Sequence, residues 1–377
     1  MKFERSALDL SEAVNYHYGK FPPAHLDANQ MLAPLANASQ ALARYDQMLK
    51  TMHNSEILLA PLRNQEAVVS SRMEGTISTL DEVLQYQADH EGEDAPQNYR
   101  TEALEVSLYG LAMRRAQLAM QDGQPLSSHL IRQAHSTLLG FGRGATQSPG
   151  QFKNDQNYLA DRKRGKILFI PISPEQLDSG MESLITYIGN QDVQILIRTA
   201  IAHLEFEALH PFKDGNGRIG RMLITLMLWH YGVVSVPHFY VSRVFEDNRD
   251  TYIDLMRNVS AKGAWVEWVV FFLNSLETQA TANLAKAEEI RDLYETLKLE
   301  FRDRLSSTWS QTALDFLFTR PVFRNNIFTS SSGIPPAAAH RIAKLLVEGE
   351  YLRVIQPASG RRPALYSFEP LLRLVRD

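Results

Sequence analysis

The stretch of sequence that decides the fold is His210-Pro211-Phe212-Lys213-Asp214-Gly215-Asn216-Gly217-Arg218-Ile219-Gly220-Arg221. Apolar residues at helical spacing fill the segment before it, 191–209, and a second apolar run, 219–228, begins inside it. Pro211 disfavours the helical conformation at the residue before it, so the first helix is predicted to end there. The glycines of the turn 214–217 permit positive φ and a close approach of backbone groups. The stretch therefore predicts a helix end, a turn and a second helix whose first N–H groups can hold an anion.

Charged side chains at the start of the second helix support an anion site. Arg218 and Arg221 are three residues apart, which places both on one face of the first turn. A cation at a helix N-terminus is unfavourable by about 0.3–1 kcal/mol unless an anion is bound there, so the pair predicts a bound polyphosphate. Asp214 offers an oxygen ligand suited to Mg²⁺ that bridges phosphates. His210 is the nearby side chain whose pKa suits general-base chemistry at neutral pH.

Three other interpretations of this stretch stay open. Residues 215–220 fit the dinucleotide-binding pattern G-x-G-x-x-G, but a helical segment precedes them and the next acidic residue, Glu246, comes too late to bind a ribose. The stretch could also be an ordinary glycine-rich connection with a surface histidine. A metal site formed by His203 and His210 is the third interpretation, and a packing role explains His203 better.

The composition is that of a globular protein with a large core. The chain has 377 residues, 44% hydrophobic and 22% charged, enough for about two to three domains. The net charge of -4 gives no overall attraction to nucleic acid or anionic membranes. The absence of cysteine excludes disulfides, zinc ribbons, iron–sulfur clusters and thiol nucleophiles. We find no signal peptide at the start and no apolar run near the roughly 20 residues that span a bilayer, so we expect a soluble cytoplasmic protein with no membrane association.

Most of the chain is predicted to be helical. Apolar residues recur at three- and four-residue spacing in segments such as 101–120, and alternation typical of strands is scarce. Residues 166–171 alternate, and together with 157–159 they predict one small β-hairpin. The main body is therefore predicted to be all-α with a small hairpin.

The C-terminal part changes character. Two predicted helices, a short element and two predicted strands follow one another in the order of a winged helix-turn-helix; they cover 311–318, 323–328, 335–348, 351–355 and 364–368. The predicted domains are a helical N-terminal region (1–100), a core (101–280), a connector helix (281–305) and the winged-helix-like α+β domain (306–377).

A winged helix raises the possibility of DNA binding. Basic residues outnumber acidic ones over 336–377, and Arg361 and Arg362 are predicted to lie at the tip of the wing. Alanines occupy 337–339, at the start of the would-be recognition helix, and cannot read bases. We therefore favour a protein-interaction or dimer-supporting module over a DNA-binding one.

Every fixed position of the pattern His-Pro-Phe-x-Asp-Gly-Asn-Gly-Arg-x-x-Arg is present in 210–221. In this the chain resembles the Fic family, and the resemblance covers roughly residues 10–275, with a winged-helix-like appendix as in some members. It implies an all-α Fic-type core whose hairpin, near 157–170, is a flap that lays a target segment beside the site. It also implies Mg²⁺-dependent transfer of AMP from ATP to Tyr, Thr or Ser hydroxyls of proteins, the protein itself included. We expect a homodimer.

The resemblance assigns a role to each matching residue. His210 would be the base that deprotonates the target hydroxyl, and Asp214 would be the Mg²⁺ ligand. The implied phosphate-binding residues are Gly215, Asn216, Gly217, Arg218 and Arg221, the last at the γ-phosphate. Asn248 and Tyr252 resemble a segment that lines the adenine pocket, but a helix cap and a packing tyrosine are equally open interpretations.

A second motif, Ser70-Ser71-Arg72-Met73-Glu74-Gly75, lies upstream. Residues 55–74 are predicted to be helical apart from Pro61, with Gly75 as the cap and Glu74 in the last turn, where a carboxylate opposes the helix dipole. Alone this is an ordinary helix end. Beside the first stretch, Ser-x-x-x-Glu-Gly resembles the inhibitory helix of the Fic family, with Ser70 on the face of Glu74.

This second resemblance implies that Glu74 pairs with Arg221 and displaces its γ-phosphate partner. Three further hypotheses remain. Glu74 could position water for the removal of AMP from a modified protein. The core could be a nucleotide sensor in a DNA-binding regulator, although such a sensor would not need His210. The site could also transfer another phosphate-containing group.

Overall fold

The computed structural model describes residues 9–52, 54–90, 101–161 and 165–376. The helices are α1 (Ala28–Thr51), α2 (Ser55–Leu58), α3 (Ala60–Met73), α4 (Leu80–His90), α5 (Thr101–Gln121), α6 (Ser128–Leu138), α7 (Pro174–Ile188), α8 (Ile195–Leu209), α9 (Asn216–His230), α10 (Ser242–Asp247), α11 (Arg249–Lys262), α12 (Trp265–Leu305), α13 (Ser310–Thr319), α14 (Asn325–Ser331), α15 (Pro336–Glu348) and α16 (Glu369–Val375), with a short 3₁₀ helix at Gly142–Thr146. The strands are β1 (Val14–Asn15), β2 (Leu159–Asp161), β3 (Lys166–Ile170), β4 (Val322–Arg324), β5 (Leu352–Gln356) and β6 (Leu365–Phe368). The predicted, mostly helical fold class is confirmed.

The chain divides into two compact units, each made of two stretches of sequence. Residues 1–44 and 111–281 form the first unit, and residues 45–110 and 282–377 form the second. Every boundary falls inside a helix: α1, α5 or α12. In the part of the chain that the structure describes, no helix combines the length and apolar character needed to cross a membrane.

Helices α8 and α9 form the centre of the first unit. Helix α8 is buried around almost its whole circumference, polar side chains such as His203 and Glu205 included, so other elements surround it. It packs against α7 and α9. A Cβ at Gly220 of α9 would lie 3.2 Å from the Phe206 ring and closer still to Glu207, so glycine there permits the close approach of the two helices.

The first unit also carries a three-stranded sheet in the order β1-β3-β2. Strands β2 and β3 form the predicted hairpin, with Leu159 opposite Phe169. Strand β1 pairs with β3 in parallel, with Val14 opposite Phe169. The sequence did not predict β1, because two residues are too few to show alternation.

The second unit joins two distant parts of the sequence. Helix α13 packs against α2 and α3, α16 packs against α3, and α4 packs against β4. Its sheet has the order β4-β6-β5 with antiparallel neighbours. The helices and strands expected near the C-terminus are present, and their interpretation as a winged helix-turn-helix stays a prediction.

Two predicted helices have different limits. The helix expected over 55–74 is broken at Leu59, and Pro61 lies in the first turn of α3, where its missing N–H costs nothing. Helix α12 begins at Trp265, well before the expected connector start at residue 281, because apolar and polar residues keep helical spacing throughout.

Candidate active site

His210 follows the end of α8 in an unusual conformation. Its φ of 46° and ψ of 61° are left-handed, and its N–H donates to the Phe206 carbonyl at 3.0 Å. The predicted end of this helix at Leu209 is confirmed. A side chain in the left-handed region costs roughly 1–2 kcal/mol, so the surrounding structure must hold it there.

The motif loop, residues 210–215, leads into α9. Gly215 has a φ of 80° and is the N-cap, and its N–H donates to Asp214 Oδ1 at 2.7 Å. The Asn216 side chain accepts from the Phe212 N–H and donates to the Phe212 carbonyl, both at 2.8 Å. The Asn216 side chain therefore links the middle of the motif loop to the start of α9. The backbone N–H groups of the first turn of α9, including that of Gly217, are the groups positioned to hold an anion.

Arg218 carries the clearest sign of a missing partner. The residue is 4% exposed, and its Nη2 lies 3.8 Å from Asp214 Oδ1. Among the described residues, its buried Nε and Nη1 atoms have no hydrogen-bond partner. Unsatisfied buried donors are costly, more so when charged, and an anion at this helix start would satisfy them. Arg221, one turn on, is 2% exposed.

The side chain of Asp214 is 47% exposed at the mouth of the loop. Within the described ranges, no group of three histidine or acidic side chains could hold a metal ion by itself. Mg²⁺ commonly binds through one or two carboxylates together with substrate phosphates, so a single aspartate beside a phosphate site fits this ion.

His135, which the sequence analysis missed, supports the loop. Its buried ring stacks on Phe212 with centroids 3.7 Å apart. Nδ1 accepts from the Gly150 N–H at 2.8 Å, so the proton is on Nε2, which donates to the Asp214 carbonyl at 2.9 Å. Burial lowers the pKa of His135 to about 4, in keeping with this neutral tautomer. A histidine on the apolar face of an amphipathic helix gives no sequence signal of such a role.

The sequence also contains no indication that Lys153 and Asn157 contact the motif loop. Lys153 is 4% exposed, and its Nζ donates to Asn157 Oδ1 and to the Leu209 carbonyl. Asn157 Nδ2 donates to the carbonyls of His210 and Phe212. Burial lowers the pKa of the Lys153 ammonium to about 7. Lysine and asparagine before a hairpin are common surface residues, so their position under the loop is visible only in the fold.

His203 is a packing residue. Its Nδ1 contacts the Gly220 carbonyl at 3.1 Å and its Nε2 contacts the Tyr252 hydroxyl at 2.8 Å, which leaves neither nitrogen for a metal. Burial, and then the charge of Arg221, lowers its pKa to about 3. The packing interpretation of His203 agrees with these contacts.

The two residues predicted near the adenine have structural contacts of their own. Tyr252 is 4% exposed and stacks on Phe245, with ring centroids 4.8 Å apart. Asn248 lies between α10 and α11, and its Nδ2 donates to the Val244 carbonyl at 2.9 Å. Tyr252 therefore packs as its alternative interpretation expects. The Asn248 side chain makes no N-cap hydrogen bond to α11 and instead bonds back to α10, and the adenine contact of both residues stays a prediction.

Glu74 and Ser70 lie in the second unit. Helix α3 ends at Met73, so Glu74 is the residue that caps the helix; the expectation that it lies in the last turn is wrong by one position. Gly75 follows with a φ of 87°, as expected for a C-terminal cap. The side chain of Glu74 is exposed and Ser70 is buried. The pairing of Glu74 with Arg221 stays a prediction.

The fold and this site define a helical protein in which a short glycine-containing loop joins a left-handed histidine to the start of the next helix. The Fic/DOC family N-terminal model matches residues 32–117, and the Fic/DOC family model matches residues 125–228. The two matches together cover half of the chain. The chain belongs to the Fic/DOC family.

Relatives and solved structures agree with this membership. A probable protein adenylyltransferase of Aquifex aeolicus is 30% identical over 24% of this chain and 26% of its own length. Protein adenylyltransferase fic-1 of Caenorhabditis elegans is 26% identical over 32% of this chain and 22% of its own length. The chain thus matches only about a quarter of the length of these curated relatives. A Fic family protein from Desulfovibrio desulfuricans G20 has a TM-score of 0.58 at 20% identity, over 92% of this chain and 98% of its own, which shows the fold.

Proposed function

We propose that this protein is a protein adenylyltransferase that transfers AMP from ATP to tyrosine, threonine or serine hydroxyls of proteins, its own included. The observation that carries the proposal is the buried Arg218 guanidinium, two of whose nitrogens have no hydrogen-bond partner among the described residues. It lies in the first turn of α9, directly after a glycine turn. A triphosphate would supply the missing acceptors. The names of the relatives, protein adenylyltransferases, support ATP as that triphosphate.

In the reaction, the imidazole of His210 accepts the proton of the attacking hydroxyl. The hydroxyl oxygen forms a bond to the α-phosphorus, the bond from that phosphorus to the bridging oxygen breaks, and pyrophosphate leaves. The N–H groups of Asn216 and Gly217, at the start of α9, and the Arg218 guanidinium stabilise the charge on the phosphates, and Arg221 binds the γ-phosphate. Asp214 would hold Mg²⁺, which neutralises phosphate charge.

The second part of the proposal is that Glu74 restrains this activity. Its carboxylate follows directly on α3, the helix that carries Ser70, and takes the place of the γ-phosphate on Arg221. ATP then binds with its α-phosphate out of line for attack, and a small misplacement of the reacting atoms costs a large factor in rate. The Ser-x-x-x-Glu-Gly pattern at the end of α3 supports this mechanism.

Intact-mass spectrometry after incubation with MgATP tests the activity. We expect a mass gain of one or more adenylyl groups for the Glu74→Gly protein. A smaller fraction of the wild type should be modified, and none of the His210→Ala protein in either background. No gain in any of them, with purified candidate targets present, contradicts the proposal. Loss of AMP from protein that was modified beforehand would instead identify the reverse reaction as the main activity.

The C-terminal domain is proposed to serve protein interaction, including the formation of a homodimer, in preference to DNA binding. Arg362, one of the two basic residues expected at a wing tip, donates to Asp89 at 3.2 Å within the second unit. It is therefore engaged within the protein. Light scattering of the purified protein tests the dimer, and the electrophoretic mobility of random duplex DNA with the full chain tests the DNA alternative.

A further inference from the structure

The loop that carries His210 depends on a part of the chain that lies outside the His-Pro-Phe motif. We propose that Lys153 and Asn157 are positioning residues that fix the backbone of the motif loop and, through it, the direction of the His210 imidazole. This inference rests on the function proposed above and deepens it. Both residues belong to the supporting segment, which we define as residues 153–157.

The supporting segment donates to four consecutive carbonyl groups at the end of α8. These bonds run from Lys153 Nζ to Leu209 O (3.0 Å), from Asn157 Nδ2 to His210 O and Phe212 O (3.1 Å each), and from the Lys153 N–H to Pro211 O (2.8 Å). Buried carbonyls at a helix end are usually satisfied by local caps or by water. Here one short segment from elsewhere in the chain donates to all four, and the Phe212 carbonyl also accepts a bond from Asn216.

Lys153 and Asn157 act as one unit. The Lys153 ammonium donates to Asn157 Oδ1 at 2.8 Å. An ammonium can only donate and a backbone carbonyl can only accept, so the asparagine amide must direct its oxygen to the lysine and its nitrogen to the loop. Both Nδ2 bonds therefore depend on the lysine that orients the amide.

The arrangement explains how His210 keeps a costly conformation. A left-handed φ at a residue other than glycine persists only where the surroundings hold it. The carbonyls of Leu209 and His210 belong to the two peptide groups on either side of the His210 Cα, and both accept hydrogen bonds from the supporting segment. Because each peptide group is planar, holding both carbonyls fixes the backbone at His210 and therefore the direction in which its side chain leaves the chain.

Two variants of the full-length chain test this role. Asn157→Asp keeps the shape and the contact with Lys153 but cannot donate to His210 O or Phe212 O; Lys153→Met removes the ammonium. The control is Tyr231→Phe. It also removes one side-chain hydrogen bond to a backbone carbonyl in the first unit, that of Ile188, but neither residue belongs to the motif loop or the supporting segment. Each is made in the Glu74→Gly background, and the rate of AMP incorporation is measured as a function of ATP concentration.

We expect Asn157→Asp and Lys153→Met to lower the rate at saturating ATP by about 10- to 100-fold, because misplaced reacting groups cost factors of this size. The ATP concentration that gives half the rate should change less than about twofold, since Arg218 and the start of α9 are unaltered. An unchanged rate overturns the proposal. So does a loss that matches the control at an equal fall in melting temperature, because that result indicates a structural role only.

A second measurement separates this proposal from the proposed function. In protein with ¹³C-labelled histidine, the His210 ring signal is assigned by its absence from His210→Ala. It should shift in Asn157→Asp and stay in place in Tyr231→Phe. If the signal shifts while no variant incorporates AMP, the positioning role stands and the adenylyltransferase proposal fails. If it does not shift, the positioning role is wrong whatever the activity.

Discussion

Two helix ends differ in how the protein holds them. The C-cap residue of helix α8 is His210, a left-handed residue with a side chain, and the carbonyls of Leu209 and His210 accept hydrogen bonds from the distant supporting segment. The C-cap residue of helix α3 is Glu74, and the left-handed position after it is Gly75, where a positive φ carries no penalty.

The end of α3 is closed by local hydrogen bonds. The Gly75 N–H donates to the Arg72 carbonyl at 2.9 Å, and the Thr76 N–H donates to the Ser71 carbonyl at 3.0 Å. Such a cap forms wherever the helix forms, whereas the end of α8 needs the rest of its unit. A left-handed residue with a side chain, such as His210, thus requires long-range support, whereas the carboxylate of Glu74, which we propose to be regulatory, is presented by a helix end that closes locally.

The largest expected effect comes from removing the imidazole of His210, the left-handed residue after α8. His210→Ala should lower AMP incorporation by about 10²- to 10⁴-fold, the usual contribution of a general base, in the wild type and in Glu74→Gly alike. Quantitative autoradiography with α-labelled ATP measures it, and circular dichroism checks the fold. Residual activity within a factor of about three of the parent would mean that the base is another group.

The second effect concerns a buried ion pair in the second unit. Its loss should lower the free energy of unfolding by an amount comparable to the activation free energy that His210 contributes. Asp89 accepts from Arg324 and Arg362, and the Asp89 and Arg324 side chains are 2% and 6% exposed. Asp89→Asn leaves a buried guanidinium without its counter-charge, so we expect the free energy of unfolding to fall by about 3 kcal/mol.

The matched control is Asp81→Asn in the same helix, α4. Asp81 pairs with Arg376 at 3.1 Å, and its side chain is 42% exposed. We expect the free energy of unfolding to fall by less than about 1 kcal/mol in this variant. Urea denaturation of both variants measures the difference, and equal losses would show that burial does not set the strength of these pairs.

The third effect acts at the end of α3. Glu74→Gln keeps the helix cap and removes the charge proposed to restrain Arg221, so AMP incorporation should rise by about tenfold or more, the factor that corresponds to roughly 1.4 kcal/mol. Glu56→Gln, in the neighbouring helix α2, removes an exposed carboxylate that pairs with Arg63 and should leave the rate unchanged. An equal rise in both variants would mean that overall charge, and not the end of α3, controls the rate.

Sequence reasoning succeeded where local chemistry decides the structure. Pro211 and the glycines of the turn encode the break between α8 and α9, and Gly75 encodes the end of α3, so these were predicted correctly. The motif also predicted its own charged residues as the candidate site, because an anion is favoured at a helix start with two arginines beside it, and that assignment stays a prediction.

The remaining features depend on long-range contacts that leave no local pattern. Lys153, Asn157 and His135 lie about 50 to 80 positions from the groups that they support, so nothing near them in the sequence indicates a role. The packing of α13 against α3 is equally invisible, since it joins segments more than 200 residues apart. Periodicity predicts which face of a helix is buried but not what covers it.

The last expected effect is a gradual one, spread over the pH range in which the Lys153 ammonium beneath the end of α8 titrates. Its pKa is about 7 in the folded protein, against 10.5 for an ordinary lysine, because burial disfavours the ammonium. Between these values the unfolded chain binds a proton that the folded protein does not, so the free energy of unfolding rises with pH, by at most about 1.4 kcal/mol per pH unit. Lys153→Met lacks this contribution. Urea denaturation between about pH 7 and about pH 9 should therefore show a steeper gain for the wild type than for Lys153→Met, and parallel curves would mean that Lys153 stays charged beneath the loop.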